Sequence, residues 1–201
     1  MNNLLKDVLN SSIKLKKELS NDFYFNKFFE IGNLMRRSIE NKNKLIFCGN
    51  GGSAADAQHL AAELIVRLRS DVNRQTIPAL ALTLDSSTLT ACANDIGFDH
   101  LFERNLEAVA NEGDVLICIS TSGLSKNILL AAQRAKSMGV ITVALTGKTG
   151  GLLKKECDYV LQVPSTNTAR IQECHITIGH ALMEHIEDQL LNTCFITKLK
   201  N

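Results

Sequence analysis

Tryptophan is absent from the chain, and proline and tyrosine each occur only twice. With eight phenylalanines, aromatic residues make up 5% of the chain, which argues against a stacking platform for single-stranded nucleic acid. No charge of one sign dominates: Lys and Arg number 22, Asp and Glu 21, and the formal charge is +1. A nucleic-acid binder neutralises phosphates with a basic excess, so this balance argues against that role. No apolar run approaches the roughly 18 residues that a membrane-spanning helix needs. At the amino terminus, MNNLLKDVLNSS interrupts its apolar residues with Lys6 and Asp7 at helical spacing. That pattern is an amphipathic helix and lacks the unbroken apolar stretch of a signal peptide. The six cysteines (48, 92, 118, 157, 174 and 194) form no C-x-x-C pair. Cys48 in KLIFC and Cys118 in DVLICIS sit in apolar runs, as buried free thiols of a reducing cytoplasm do.

What is present is an ordinary globular composition, 45% apolar and 21% charged over 201 residues. This length suits one domain spanning residues 1–201, with 1–43 as an amino-terminal helical segment that packs on it or on a neighbouring subunit. Short apolar runs alternate with helical patterns. Strands are expected at 44–48, 79–84, 115–120, 140–146 and 159–163. Helices are expected at 53–67, in segments over 87–111, at 126–137, briefly near 152, and at 168–190. The strands are nearly continuous in Val, Ile, Leu and Ala, as in a parallel sheet covered on both faces. The expected fold is therefore a doubly wound α/β domain with a mostly parallel five-stranded sheet flanked by helices.

In such sheets ligands bind beyond the carboxyl ends of the strands. Three of these ends are polar and glycine-rich: Gly49-Asn50-Gly51-Gly52-Ser53, Ser120-Thr121-Ser122-Gly123, and Thr146-Gly147-Lys148. Ser120, Thr121, Ser122 and Ser125 follow a strand and open a helix, where hydroxyls and free N–H groups converge on an anion. A single phosphate fits that turn better than a simple N-cap does. No G-K-[ST] follows, so it is not a Walker loop. Gly49, Gly51 and Ala54 satisfy the loose G-x-G-x-x-A dinucleotide pattern. The acidic residue that would contact a ribose falls at Asp85, too far downstream. The glycines read better as close approach to a smaller ligand, with a bare strand-to-helix turn as the alternative.

His59 and Glu63 are four apart on the helix after the first loop, so both face one side. An imidazole and a carboxylate so placed can share a divalent metal such as zinc. The last helix carries Arg170, Gln172, Glu173, His175, His180, Glu184 and His185 among apolar residues such as Ile171, Ile176, Ile178, Ala181, Leu182 and Met183. Gln172 and His180 are eight apart, about 12 Å along the axis. One metal cannot comfortably take both from one helix, which points to a site at an oligomer interface. His100, His175 and His185 read as structural.

The runs CGNGGSAADAQHLAAEL, ANDIGF, ISTSGLS, LTGKTGG and ARIQECHITIGH together resemble the phosphoheptose isomerases of the sugar-isomerase (SIS) domain superfamily. The resemblance covers nearly the whole chain, with the motifs in order. It implies a cytoplasmic homotetramer that converts D-sedoheptulose 7-phosphate to D-glycero-D-manno-heptose 7-phosphate for surface glycans such as lipopolysaccharide. It implies zinc held by His59, Glu63, Gln172 and His180. It implies sugar-phosphate contacts from Asn50, Gly51, Gly52, Ser53, Glu63, Asn94, Asp95, Ser120, Thr121, Ser122, Ser125 and Gln172. Two positions depart from the family: Val66-Arg67-Leu68 replaces a Gly-Arg-aromatic run, and Ala169 stands where some members carry Asp.

Glu63 is expected as the base of an enediol isomerisation and His180 as its acid–base partner, by their chemistry and by the resemblance. The competing readings are an isomerase of another phosphosugar and a protein-binding relative of the replication-initiator-associating type. Members of that second group lack the residues matching Glu63 and His180, which this chain keeps.

Overall fold

The computed structural model describes residues 3–83 and 85–199. Five strands form one parallel sheet: β1 Leu45–Gly49, β2 Ala79–Ala81, β3 Val115–Ser120, β4 Ile141–Thr146 and β5 Tyr159–Gln162. Their order is β2-β1-β3-β4-β5. Successive side chains point to opposite faces of a strand. Leu45, Phe47, Val115, Ile117, Val143 and Leu145 therefore face one layer. Ile46, Cys48, Leu116, Cys118 and Ala144 face the other. The first layer is built by α2 Asp22–Glu40, α3 Gly52–Ile65 and α8 Thr168–Asn192. The second is built by α4 Ser86–Asp95, α5 Leu101–Val109, α6 Lys126–Ser137 and α7 Leu153–Glu156, with a 3-10 turn Phe98–His100 leading into α5. The remaining helix, α1 Leu4–Leu19, lays Leu15 against Val163, Ile171 and Cys174.

The expected doubly wound fold is found, and every strand in it is parallel. The helical segment over 1–43 divides at Ser20–Asn21, where Asn21 Oδ1 accepts from the N–H groups of Phe23 and Tyr24 and starts α2. The second strand is shorter than expected. It ends at Ala81, and Leu82 and Thr83 already turn; Leu84, the expected last residue, lies outside the described residues. Asp85 is the N-cap of α4, accepting from Ser87 N–H at 2.9 Å and from Thr88 Oγ1 at 2.5 Å. These bonds hold its carboxyl below the usual carboxylate range.

The buried cysteines bear out the reading as free thiols: all six are unpaired, and only Cys194 is exposed. Cys48 and Cys118 face each other across paired strands with sulfurs 3.9 Å apart. A hydrogen bond to Cys118, reinforced by burial, pushes the Cys157 thiol well up, so it stays protonated and inert.

Candidate active site

Strand order reverses direction between β1 and β3, and that switch point opens a crevice at their carboxyl ends. The two polar loops flank it. Asn50 and Asn127 exchange reciprocal amide hydrogen bonds, both 2.9 Å, and so tie the loop after β1 to the first turn of α6. Asn127 is buried. The sequence reading missed it; its signal was an amide beside the apolar run Ile128–Ala132.

The hydroxyl turn after β3 is tightly built. Ser120 Oγ accepts from Gly123 N–H at 3.1 Å and lies 3.2 Å from Ser125 Oγ. Ser125 occupies the N-cap position of α6, yet its side chain makes no capping bond. The simple N-cap explanation therefore fails for Ser125. Gly123 has φ of 65°, and a β-carbon there would stand 2.1 Å from the Gly150 carbonyl oxygen. Only glycine allows the loop after β4 to close over the turn, as Gly147 N–H donates to the Thr121 carbonyl at 3.0 Å and Leu152 N–H to the Gly123 carbonyl at 2.9 Å. A cleft of about 220 Å³ opens beside the turn, lined by Thr121, Ser122, Lys148, Ser165, Thr166 and Thr168 among others. Hydroxyls and one ammonium line this space beside Leu124 and Ile171, a chemistry suited to a phosphorylated polyol. Lys148 belonged to a flagged strand end, but Ser165, Thr166 and Thr168 gave no sequence signal.

The second constellation stands on α3 and α8. His59 Nε2 lies 2.7 Å from His180 Nε2 and 3.4 Å from Glu63 Oε1. Candidate donor atoms of all three residues lie within 4.8 Å of one another. Glu63 Oε2 is buried and makes no hydrogen bond. Two imidazole nitrogens and a carboxylate with an unpaired buried oxygen, all converging on one point, fit a divalent metal. Asp56, one turn before His59, has its carboxyl pushed up by burial, against the opposing pull of His59 and His180.

Gln172 stands eight residues before His180 on α8. Its amide packs beside Gly52 at the start of α3. That agrees with the eight-residue separation from His180 and leaves Gln172 next to the glycine-rich loop. Asn94 and Asp95 lie at the end of α4, exposed, with Asn94 Nδ2 donating to Asp95 Oδ1 at 2.7 Å. The three other histidines have structural surroundings. His175 Nε2 donates to the Thr146 carbonyl at 3.2 Å, and burial lowers its pKa to about 4. His185 meets the rings of Phe28 and Phe29 edge-on. His100 Nδ1 sits 2.5 Å from Glu103 Oε1.

Fold and loops together define a SIS domain, and that family matches residues 22–147. The chain is 45% identical over 200 residues to the phosphoheptose isomerase of Aneurinibacillus thermoaerophilus, covering 98% of this chain and 99% of that one. Two solved structures are also similar. A phosphoheptose isomerase from Francisella tularensis superposes with a TM-score of 0.88 at 37% identity, covering 94% of this chain and 100% of its own. The phosphoheptose isomerase of Neisseria gonorrhoeae gives 0.85 at 40% identity, covering 92% and 97%. The chain belongs to the phosphoheptose isomerase family.

Proposed function

We propose that this chain isomerises D-sedoheptulose 7-phosphate to D-glycero-D-manno-heptose 7-phosphate through an enediol, supplying heptose for surface glycans such as lipopolysaccharide. The observation that carries this reading is the pairing of a hydroxyl-lined anion turn with a His–Glu–His cluster in a chain of this family. The turn at Ser120, Thr121, Ser122 and Ser125 holds the phosphate, and its binding energy orients the reacting end of the sugar. Asn50, Gly51, Gly52, Ser53, Asn94, Asp95 and Gln172 complete the sugar contacts. Glu63 removes the proton at C1 of the open-chain ketose and returns it at C2, while His180 moves the proton between the C1 and C2 oxygens. A zinc ion would be held by His59, Glu63 and His180 and would organise this cluster, and Glu63 and His180 move protons only through atoms that are not engaged on the metal.

Glu63 stands eleven residues beyond Gly52, about 16 Å along α3 from the glycine-rich loop. Gln172 packs at that loop, eight residues along α8 from His180. This supports a site in which the loops of one copy meet the Glu63 cluster of another, with Gln172 reaching a metal only across the subunit boundary. Phe23, Phe25 and Phe29 on α2 and Leu5, Leu9 and Ile13 on α1 are exposed, which supports burial of these faces in a homotetramer. The free thiols support a reducing cytoplasm. No helix among the described residues is long and apolar enough to cross a membrane.

The test is to incubate purified protein with sedoheptulose 7-phosphate, with and without added zinc, and follow the products by NMR. The aldose 7-phosphate is expected. A ketose left unchanged under both conditions removes the proposal.

A further inference from the structure

The helices that carry His59, Glu63 and His180 are joined a second time, by charges the chemistry above leaves unused. Arg74 lies in the connection from α3 to β2, with its side chain fully buried. Its guanidinium donates from Nε to Glu187 Oε1 at 2.5 Å, from Nη1 to the Leu64 carbonyl at 2.8 Å and from Nη2 to the Glu63 carbonyl at 2.8 Å. Those carbonyls belong to the last turn of α3, which has no intrahelical donors left for them. Glu187, equally buried on α8, also accepts from Arg69 Nε at 2.7 Å. Arg69 in turn reaches Asp188. The connection itself is strapped down by the carboxyl-terminal segment: Gln75 N–H donates to the Thr197 carbonyl at 3.1 Å and Leu199 N–H to the Asn73 carbonyl at 2.9 Å.

A buried ion pair is a poor device for stability alone, because well-packed apolar side chains of similar volume often do as well or better. A guanidinium fork does fix distance and direction. Here it ties the backbone of Glu63 to the helix that carries His180. Glu187 follows His180 by seven residues, about 10 Å along α8 and within about 20° of the same face. We infer that Arg74 and Glu187 are positioning residues: they hold the end of α3 against α8 so that Glu63, His59 and His180 meet. The inference rests on the catalytic reading of that cluster.

The test compares the parent with R74M/E187M, which replaces the pair by apolar side chains, and with R74K, which keeps the charge but loses the fork. Thermal melts report folding. Steady-state kinetics separate kcat from KM, and cobalt(II) titration followed by visible absorption reports the cluster without any substrate. The expected result is folded variants with a nearly unchanged KM, because the hydroxyl turn is untouched. Cobalt affinity and kcat should fall about tenfold to a hundredfold in R74M/E187M, as for groups that orient metal ligands, and less in R74K. Parental kcat and cobalt affinity in a folded R74M/E187M overturn the inference; should that variant not fold, the same result in R74K does so. A parent that binds cobalt but leaves sedoheptulose 7-phosphate unchanged removes the catalytic reading instead, and the cobalt comparison still decides the positioning role.

Discussion

Gly179 sits beside His180 on α8 and lets α3 approach closely. A β-carbon at position 179 would stand 2.7 Å from Leu60 Cδ1 and 2.8 Å from Leu60 Cδ2, and Leu60 is 1% exposed. The substitution G179A therefore has two opposing effects. Alanine improves helix propensity by about 1 kcal/mol. The clash overpacks a closed interface, at about 1–3 kcal/mol. The net expectation is a loss of about 1 kcal/mol. L60A alone removes a buried leucine and costs about 2–5 kcal/mol. In G179A/L60A the new methyl enters the space the leucine leaves, so the double variant should be more stable than the sum of the singles by about 1–2 kcal/mol. Urea melts of the four proteins at one protein concentration give the cycle. In parallel, kcat should fall in G179A as the helices part and the His59–His180 contact opens. A stabilised G179A with no coupling to L60A and full activity would refute the claim that this close approach builds the cluster.

E63Q should abolish turnover while leaving sugar-phosphate affinity close to the parent's, as isothermal titration would read; near-normal rates remove Glu63 from its role. H180Q should be severely impaired by the same kinetic assay. His175 is neutral when folded, with its pKa lowered from 6.5 to about 4, so the unfolded chain takes up the proton first as pH falls. Stability should drop by about 3 kcal/mol between pH 6.5 and pH 4, and denaturant titrations of H175L should lose that part of the slope. Under native conditions a thiol reagent such as DTNB should modify Cys194 quickly and the five buried cysteines only on unfolding; rapid reaction of a second thiol would contradict the packing.

The sheet was legible because buried parallel strands are written as unbroken Val, Ile, Leu and Ala, and the ligand loops because glycine and hydroxyl residues cluster at strand ends. Lys126–Ser137 and Val115–Ser120 have the expected limits. The end of β2 was misjudged because Leu82 continues the apolar run while the backbone already turns toward the Asp85 cap. His59 and Glu63 announced themselves by spacing on one helix. His180 needed the family resemblance, since its partner lies 121 residues away. The pairings Arg74–Glu187 and Asn50–Asn127 were not legible: each joins residues far apart in the chain, and single side chains do not reveal such partners.

The central claim is that the carboxylate of residue 63 acts on a sugar whose phosphate is held by the turn at residue 120 in another copy of the chain. It is tested most directly by mixing two dead variants, E63Q and S122D, the second placing a negative charge at the phosphate turn. Unfolding and refolding them together should restore activity to about a quarter of the parent's, because some shared sites then receive an intact half from each chain. Mixed oligomers that form and remain inactive would contradict it.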